Sequence, residues 1–120
     1  MKTRVDNIIK DIFIVYKLNF TLEELLCKKS ILLAYELSQV LNGIIKAGFL
    51  FCILNNKRLH IKSYYWCSVL GNRIDPIMKH YKYKISDLYL TDIYYPSIQE
   101  ISEEVSYMYK DCFECFLNYK

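Results

Sequence analysis

The sequence predicts one α+β domain, a small antiparallel sheet packed with a long central helix and a C-terminal helix. Three observations carry that expectation. Apolar residues recur at helical spacing before Gly43 and again after Pro96. Runs of β-forming residues separated by turn residues fill the interval between them. A chain of 120 residues, 53% apolar, has the length of one domain and can bury about two-thirds of its extended surface.

Ile8, Ile9, Ile12, Phe13 and Tyr16 alternate with Asp6, Lys10, Asp11 and Lys17, which predicts a short first helix. Thr21 and Glu24 then have the spacing of a capping box, and Phe20 with Leu25 that of a hydrophobic staple. Leu22, Leu25, Leu26, Leu32, Leu33, Leu37, Val40 and Leu41 carry the helix on to Asn42-Gly43, with an apolar face broad enough for a central position. Phe49 to Leu54 reads as a strand, Asn55-Asn56-Lys57 as a turn, and Arg58 to Leu70 as a second, longer strand. Gly71-Asn72 supplies the next turn, and Ile74 begins a short third strand that Pro76 stops. Lys79 to Tyr95 mixes Tyr, Lys and Asp without a clean period and reads as irregular, with a short strand near Tyr83 to Ile85. Ser97 and Glu100 repeat the capping-box spacing, and Ile98, Ile101, Val105, Met108, Cys112, Cys115 and Phe116 mark the face of a final helix. That face docks on the core or, alternatively, forms a homodimer or partner contact.

The chain holds 16 basic and 13 acidic residues, and residues 1 to 60 contain nine basic and five acidic ones, so any polyanion would meet the first half. Only three glycines are present, and neither a dinucleotide fingerprint nor a phosphate-binding loop occurs, which disfavours nucleotide-dependent catalysis. Five cysteines with no secretory signal read ahead of them predict a reduced, cytoplasmic protein, and Asn19-Phe20-Thr21 is then a chance glycosylation pattern. No apolar run reaches the ~20 residues that span a bilayer. Cys112 and Cys115 lack the second cysteine pair that tetrahedral zinc needs, and neither His60 nor His80 sits in a ligand motif, so no metal or cofactor is expected.

One pattern begins at Cys27, continues through Ser30 and Leu33-Ala34, and ends in the stretch from Ser63 to Asp75-Pro76 with Trp66 inside it. It resembles the transglutaminase-like branch of papain-fold cysteine enzymes, in which a helix-borne Cys is followed by a His-x-Trp strand and a strand ending in Asp-Pro. The resemblance covers roughly residues 27 to 76. It implies Cys27 as nucleophile, Asp75 as the residue orienting the base and Trp66 as the aromatic beside it, with a thioester formed by attack on an acyl carbon. Two residues before Trp66, where that family carries its base, stands Tyr64, a phenol whose ordinary pKa of ~10 suits the task poorly. His60 lies four residues earlier, about 13 Å along an extended strand. The expectation is a degenerate member acting as a binding or inhibitor protein, with an active acyl-transferase or peptidase using Cys27, Asp75 and His60 as one alternative.

A second pattern is similar to a winged-helix DNA-binding domain over about residues 21 to 62, with Thr21 to Leu25, Leu37 to Asn42 and Ile44 to Leu50 in the places of second helix, recognition helix and exit to the wing. It implies that Tyr35, Gln39 and Lys46 face the major groove while Lys57 and Arg58 contact phosphate. Ser30 to Tyr35, where the turn between helices would fall, contains no Gly, Pro or Asn. A third reading needs neither chemistry nor DNA: Tyr81, Tyr83, Tyr89, Tyr94 and Tyr95 cluster in the irregular segment as a candidate surface for a protein partner.

Overall fold

Thr21 caps a helix as its spacing predicts: its hydroxyl accepts from the Glu24 amide at 3.2 Å while the Glu24 carboxylate accepts from the Thr21 amide at 3.0 Å. The computed structural model describes residues 2–106 of the chain. Helix α1 (Lys2–Asn19) precedes this cap and is longer than the short helix expected. Helix α2 (Leu22–Glu24) passes through a π-helical turn (Leu25–Lys29) into α3 (Ser30–Leu41), which Asn42 ends in the left-handed conformation at φ 54°. Residues 29–34 are buried without interruption, so α3 is the central helix. Phe20, at the staple position, packs against the apolar cluster that contains Leu25.

The sheet is antiparallel throughout, in the order β3-β2-β1-β4. Strand β1 (Ile44–Leu54) begins five residues before the predicted Phe49, because the chain enters the ladder directly after Gly43. A Cβ at Gly43 would stand 2.6 Å from Cys67 Sγ and 2.9 Å from the Ser68 carbonyl, so this crossing needs glycine. Asn55 and Asn56, at φ 52° and 64°, make the two-residue turn into β2 (Lys57–Val69), and Lys57 is already in the strand. The next turn is Leu70-Gly71 rather than Gly71-Asn72, both residues having positive φ, and β3 (Asn72–Ile74) follows.

The segment expected to be irregular is ordered. Pro76 does more than stop β3: it opens helix α4 (Pro76–Tyr81), with Asp75 as the cap accepting from the Met78 amide. A 3-10 turn (Lys82–Lys84) leads into β4 (Ile85–Tyr94), which pairs with β1. Two bulges hide this strand's period. Thr91 pairs with Phe49 but Tyr94 with Ala47, and Tyr89 pairs with Phe51 but Ser86 with Ile53, so β4 twice uses three residues against two. Asp87 at φ 48° and Asp92 at φ 54° sit in these bulges and take the left-handed conformation. Bulged, acid-bearing edges resist pairing with another chain. Asp87→Val is expected to cost about 1–2 kcal/mol, because a β-branched residue is strained there, while Asp87→Gly is expected to be neutral or slightly stabilising; urea midpoints read both.

Strand alternation divides the sheet into two faces. Leu50, Cys52, Leu54, Leu59, Ile61, Tyr64 and Trp66 pack under α1, α3 and α4. Ile45, Ala47 and Tyr65 pack with Ile31 and Ala34 of α3 and with Ile101 and Val105 of α5, a helix over 98–106. Helix α3 reaches both clusters because it lies along the part of β2 that β3 leaves uncovered, where the Tyr65 amide donates to Ser30 Oγ at 3.2 Å. Helices thus flank the sheet on both sides. The continuous helical path from Leu22 to Leu41 leaves no turn between Ser30 and Tyr35, which corrects the two-helix geometry of the winged-helix reading; the absence of a helix breaker is the physical reason. The predicted apolar residues Met108, Cys112, Cys115 and Phe116 of the final helix lie outside the described residues.

Candidate functional site

Asp75 is the centre of the best-formed polar cluster. It lies at the β3–α4 junction, its side chain only 6% exposed. Oδ1 accepts from the Tyr64 hydroxyl at 2.7 Å and from the Met78 amide at 3.3 Å, and Oδ2 accepts from Arg73 Nη2 at 2.7 Å. The Arg73 guanidinium also stands over the Trp66 ring, 4.5 Å from its centroid, and Trp66 stacks beside Tyr64 with centroids 6.3 Å apart. Tyr64, Trp66, Arg73 and Asp75 therefore form one contiguous unit tying β2 to β3 and α4.

The unit has the wrong chemistry for a base. Tyr64 is completely buried, and burial first, then the Asp75 charge and the hydrogen bond it receives, push its phenol well above the usual tyrosine range. The proton stays on oxygen, directed at the carboxylate.

Cys27 is elsewhere. It lies exposed in the π-helical turn and lines a cleft of about 480 Å³ with Lys28, Ser30, His60, Lys62, Ser63, Tyr65, Glu100 and Glu104. Cys27 and His60 thus share a cleft as the active-enzyme alternative requires, whereas Asp75 lines two others and completes no triad with them. Burial and the nearby Glu23 carboxylate raise the Cys27 thiol, against the smaller opposing pull of Lys57 and Lys28. Reactive thiols need the opposite shift. His80 packs against Phe13 and Tyr81 and borders a separate cleft of about 510 Å³ between α1 and α4, so it does not supply the missing imidazole.

The same cleft contains a network that sequence reasoning missed. Glu100 Oε2 accepts from the hydroxyls of Tyr65 and Tyr94, both at 3.1 Å, and Ser63 Oγ lies 3.0 Å from the Tyr94 hydroxyl. Burial and the Glu100 charge raise the Tyr65 phenol. The backbone half of the expected box at Ser97 does form, with the Glu100 amide donating to Ser97 Oγ at 3.0 Å, while the Glu100 side chain is committed to the tyrosines. This network fastens the start of α5 to the sheet.

The five candidate partner-binding tyrosines separate into two groups. Tyr83, Tyr89 and Tyr95 are exposed, at 76%, 64% and 66%. Tyr94 belongs to the Glu100 network, and Tyr81 packs on Phe13 and His80. The residues assigned to DNA do not converge either. Tyr35 packs against the α3–α5 cluster, Gln39 is exposed near the end of α3, and Lys46 is in β1 with its ammonium over the Tyr95 ring. Lys57 pairs with Glu23 at 2.6 Å, and Arg58 is exposed beside it.

Among the described residues, no three His, Cys, Asp or Glu side chains gather into a metal site, and no helix is long and apolar enough to cross a membrane. Cys27, Cys52 and Cys67 are free thiols. No protein-family model, no curated protein and no solved structure matches the chain.

Proposed function

We propose that this protein acts by binding rather than by covalent catalysis, on a scaffold that keeps part of a transglutaminase-like pattern. One observation carries the reading: the position expected to hold the base is Tyr64, and its hydroxyl is buried and committed to Asp75 while Cys27 opens into a different cleft. The interaction surface is assigned to the sheet side where Tyr89 stands exposed, and the partner is recognised without a chemical step. A reducing, cytoplasmic setting belongs to the proposal, supported by the free thiols.

The test is site-resolved iodoacetamide labelling of the folded chain, with the urea-unfolded chain as reference. Cys27 is expected to react no faster when folded than when unfolded, because its thiol is raised. Labelling about tenfold faster in the folded state would reveal an activated thiolate and restore the enzyme.

A further inference from the structure

The side of the sheet opposite α1 carries an aromatic row that the core does not use. Phe51 of β1 pairs with His60 of β2 and with Tyr89 of β4, so three rings cross adjacent strands. The Phe51 centroid is 4.9 Å from His60 and 6.3 Å from Tyr89, and Phe49 on the same strand lies 6.4 Å from His60. Phe49 and Phe51 are half-buried, whereas His60 and Tyr89 are exposed. Residues two apart on a strand are separated by about 7 Å, a spacing that lets two rings on β1 each take one unstacked base.

Charge identifies the occupant. From Leu37 to Ile74 the chain contains no Asp or Glu, but it contains Lys46, Lys57, Arg58, Lys62 and Arg73. Lys57 is neutralised by Glu23 and Arg73 by Asp75. Arg58 pairs with Ile53, two residues along each strand from the Phe51–His60 pair, and Lys62 lies two residues beyond His60; both are exposed and make no ion pair among the described residues. The acids bordering this region are Asp87 and Asp92 in the β4 bulges and Glu100 and Glu104 at the cleft, with Glu100 already holding two tyrosine hydroxyls.

We infer that this face binds single-stranded nucleic acid, with bases stacking on Phe51, Phe49 and Tyr89 and the backbone following Arg58 and Lys62. The inference rests on the binding reading above and names its partner. Single strands are favoured over duplex because half-buried rings on a sheet reach only bases that are already unstacked.

Fluorescence anisotropy of labelled oligo(U) and oligo(dT), with a duplex of the same length as control, tests the inference on the full chain. The single strands are expected to bind at about 50 mM salt and to weaken as salt rises. Phe51→Leu, which keeps apolar volume but removes the ring, is expected to weaken binding about tenfold. Arg58→Gln and Lys62→Gln should each reduce the salt slope by about 0.7. Circular dichroism checks folding, and Tyr89→Leu, at an exposed site, carries the test if Phe51→Leu unfolds. Absence of binding at low salt, unchanged binding in both ring variants, or equal binding of duplex would each overturn the inference. A dimer in light scattering that Phe51→Leu dissociates would also overturn it, assigning the face to a second copy. Slow Cys27 labelling together with no oligonucleotide binding would remove this partner while leaving the non-catalytic reading intact.

Discussion

Asp75→Ala is expected to destabilise the fold by about 2–4 kcal/mol, read as a lower urea midpoint with little change in slope. The carboxylate satisfies three donors on three elements, so its removal affects each of them. The Tyr64 hydroxyl would remain fully buried without its acceptor, at a cost of about 1–3 kcal/mol. Loss of the α4 cap adds about 1 kcal/mol. The Arg73 pair adds little, because its guanidinium side chain is 41% exposed and is held by Trp66 in any case. Asp75→Asn keeps an acceptor for Tyr64 and the cap, so it should cost clearly less than alanine. Tyr64→Phe removes the donor and leaves Asp75 with two partners. The double variant Asp75→Ala/Tyr64→Phe should therefore be more stable than the sum of the two single effects. Additivity within about 0.5 kcal/mol would show that the hydroxyl and carboxylate are not energetically coupled, and the account of this cluster would fail.

How much of this was legible in the sequence depends on whether a feature's partners are close along the chain. The Thr21–Glu24 box, the Asn55-Asn56 turn and the Asn42 helix end are local, and each forms where its residues stand. Strand β4 was illegible because bulges at Asp87 and Asp92 interrupt its two-residue period, and aspartate in a strand reads as a turn. Helix α4 is hidden for a different reason: Asp75-Pro76 is a sound cap followed by proline at the first helical position, but the same dipeptide also reads as the end of a strand. In the candidate site, the Tyr64–Asp75 pairing falls on the two positions that the family resemblance assigned to base and orienter. The Glu100 network and the ring contacts of Phe51 with His60 and Tyr89 join residues separated by the register of three strands, and no pattern in one sequence reports that register.

Alkaline pH should unfold this protein more steeply than its composition suggests. Tyr64 and Tyr65 both have phenols raised by burial, Tyr64 further by Asp75 and Tyr65 by Glu100. In the unfolded chain each titrates near its ordinary value of ~10. Above that pH the unfolded state has released protons that the folded state retains, so proton release favours unfolding. Stability is therefore fully present below pH ~10 and declines above it, by about 1.4 kcal/mol per pH unit for each tyrosine and about 2.7 for the two together. The buried thiols add to the slope and act earlier, since burial raises Cys52 and holds Cys67 up at about 11. Urea midpoints taken under reducing conditions from neutral pH upward should show a decline that begins with the thiols and steepens past pH ~10. Tyr64→Phe should remove about half of the tyrosine contribution, whatever its cost at neutral pH. Ultraviolet tyrosinate absorbance gives the independent check: Tyr64 and Tyr65 should ionise only as the chain unfolds. Reversible ionisation of all 12 near pH ~10 with the fold intact would mean that neither phenol is held as its burial requires.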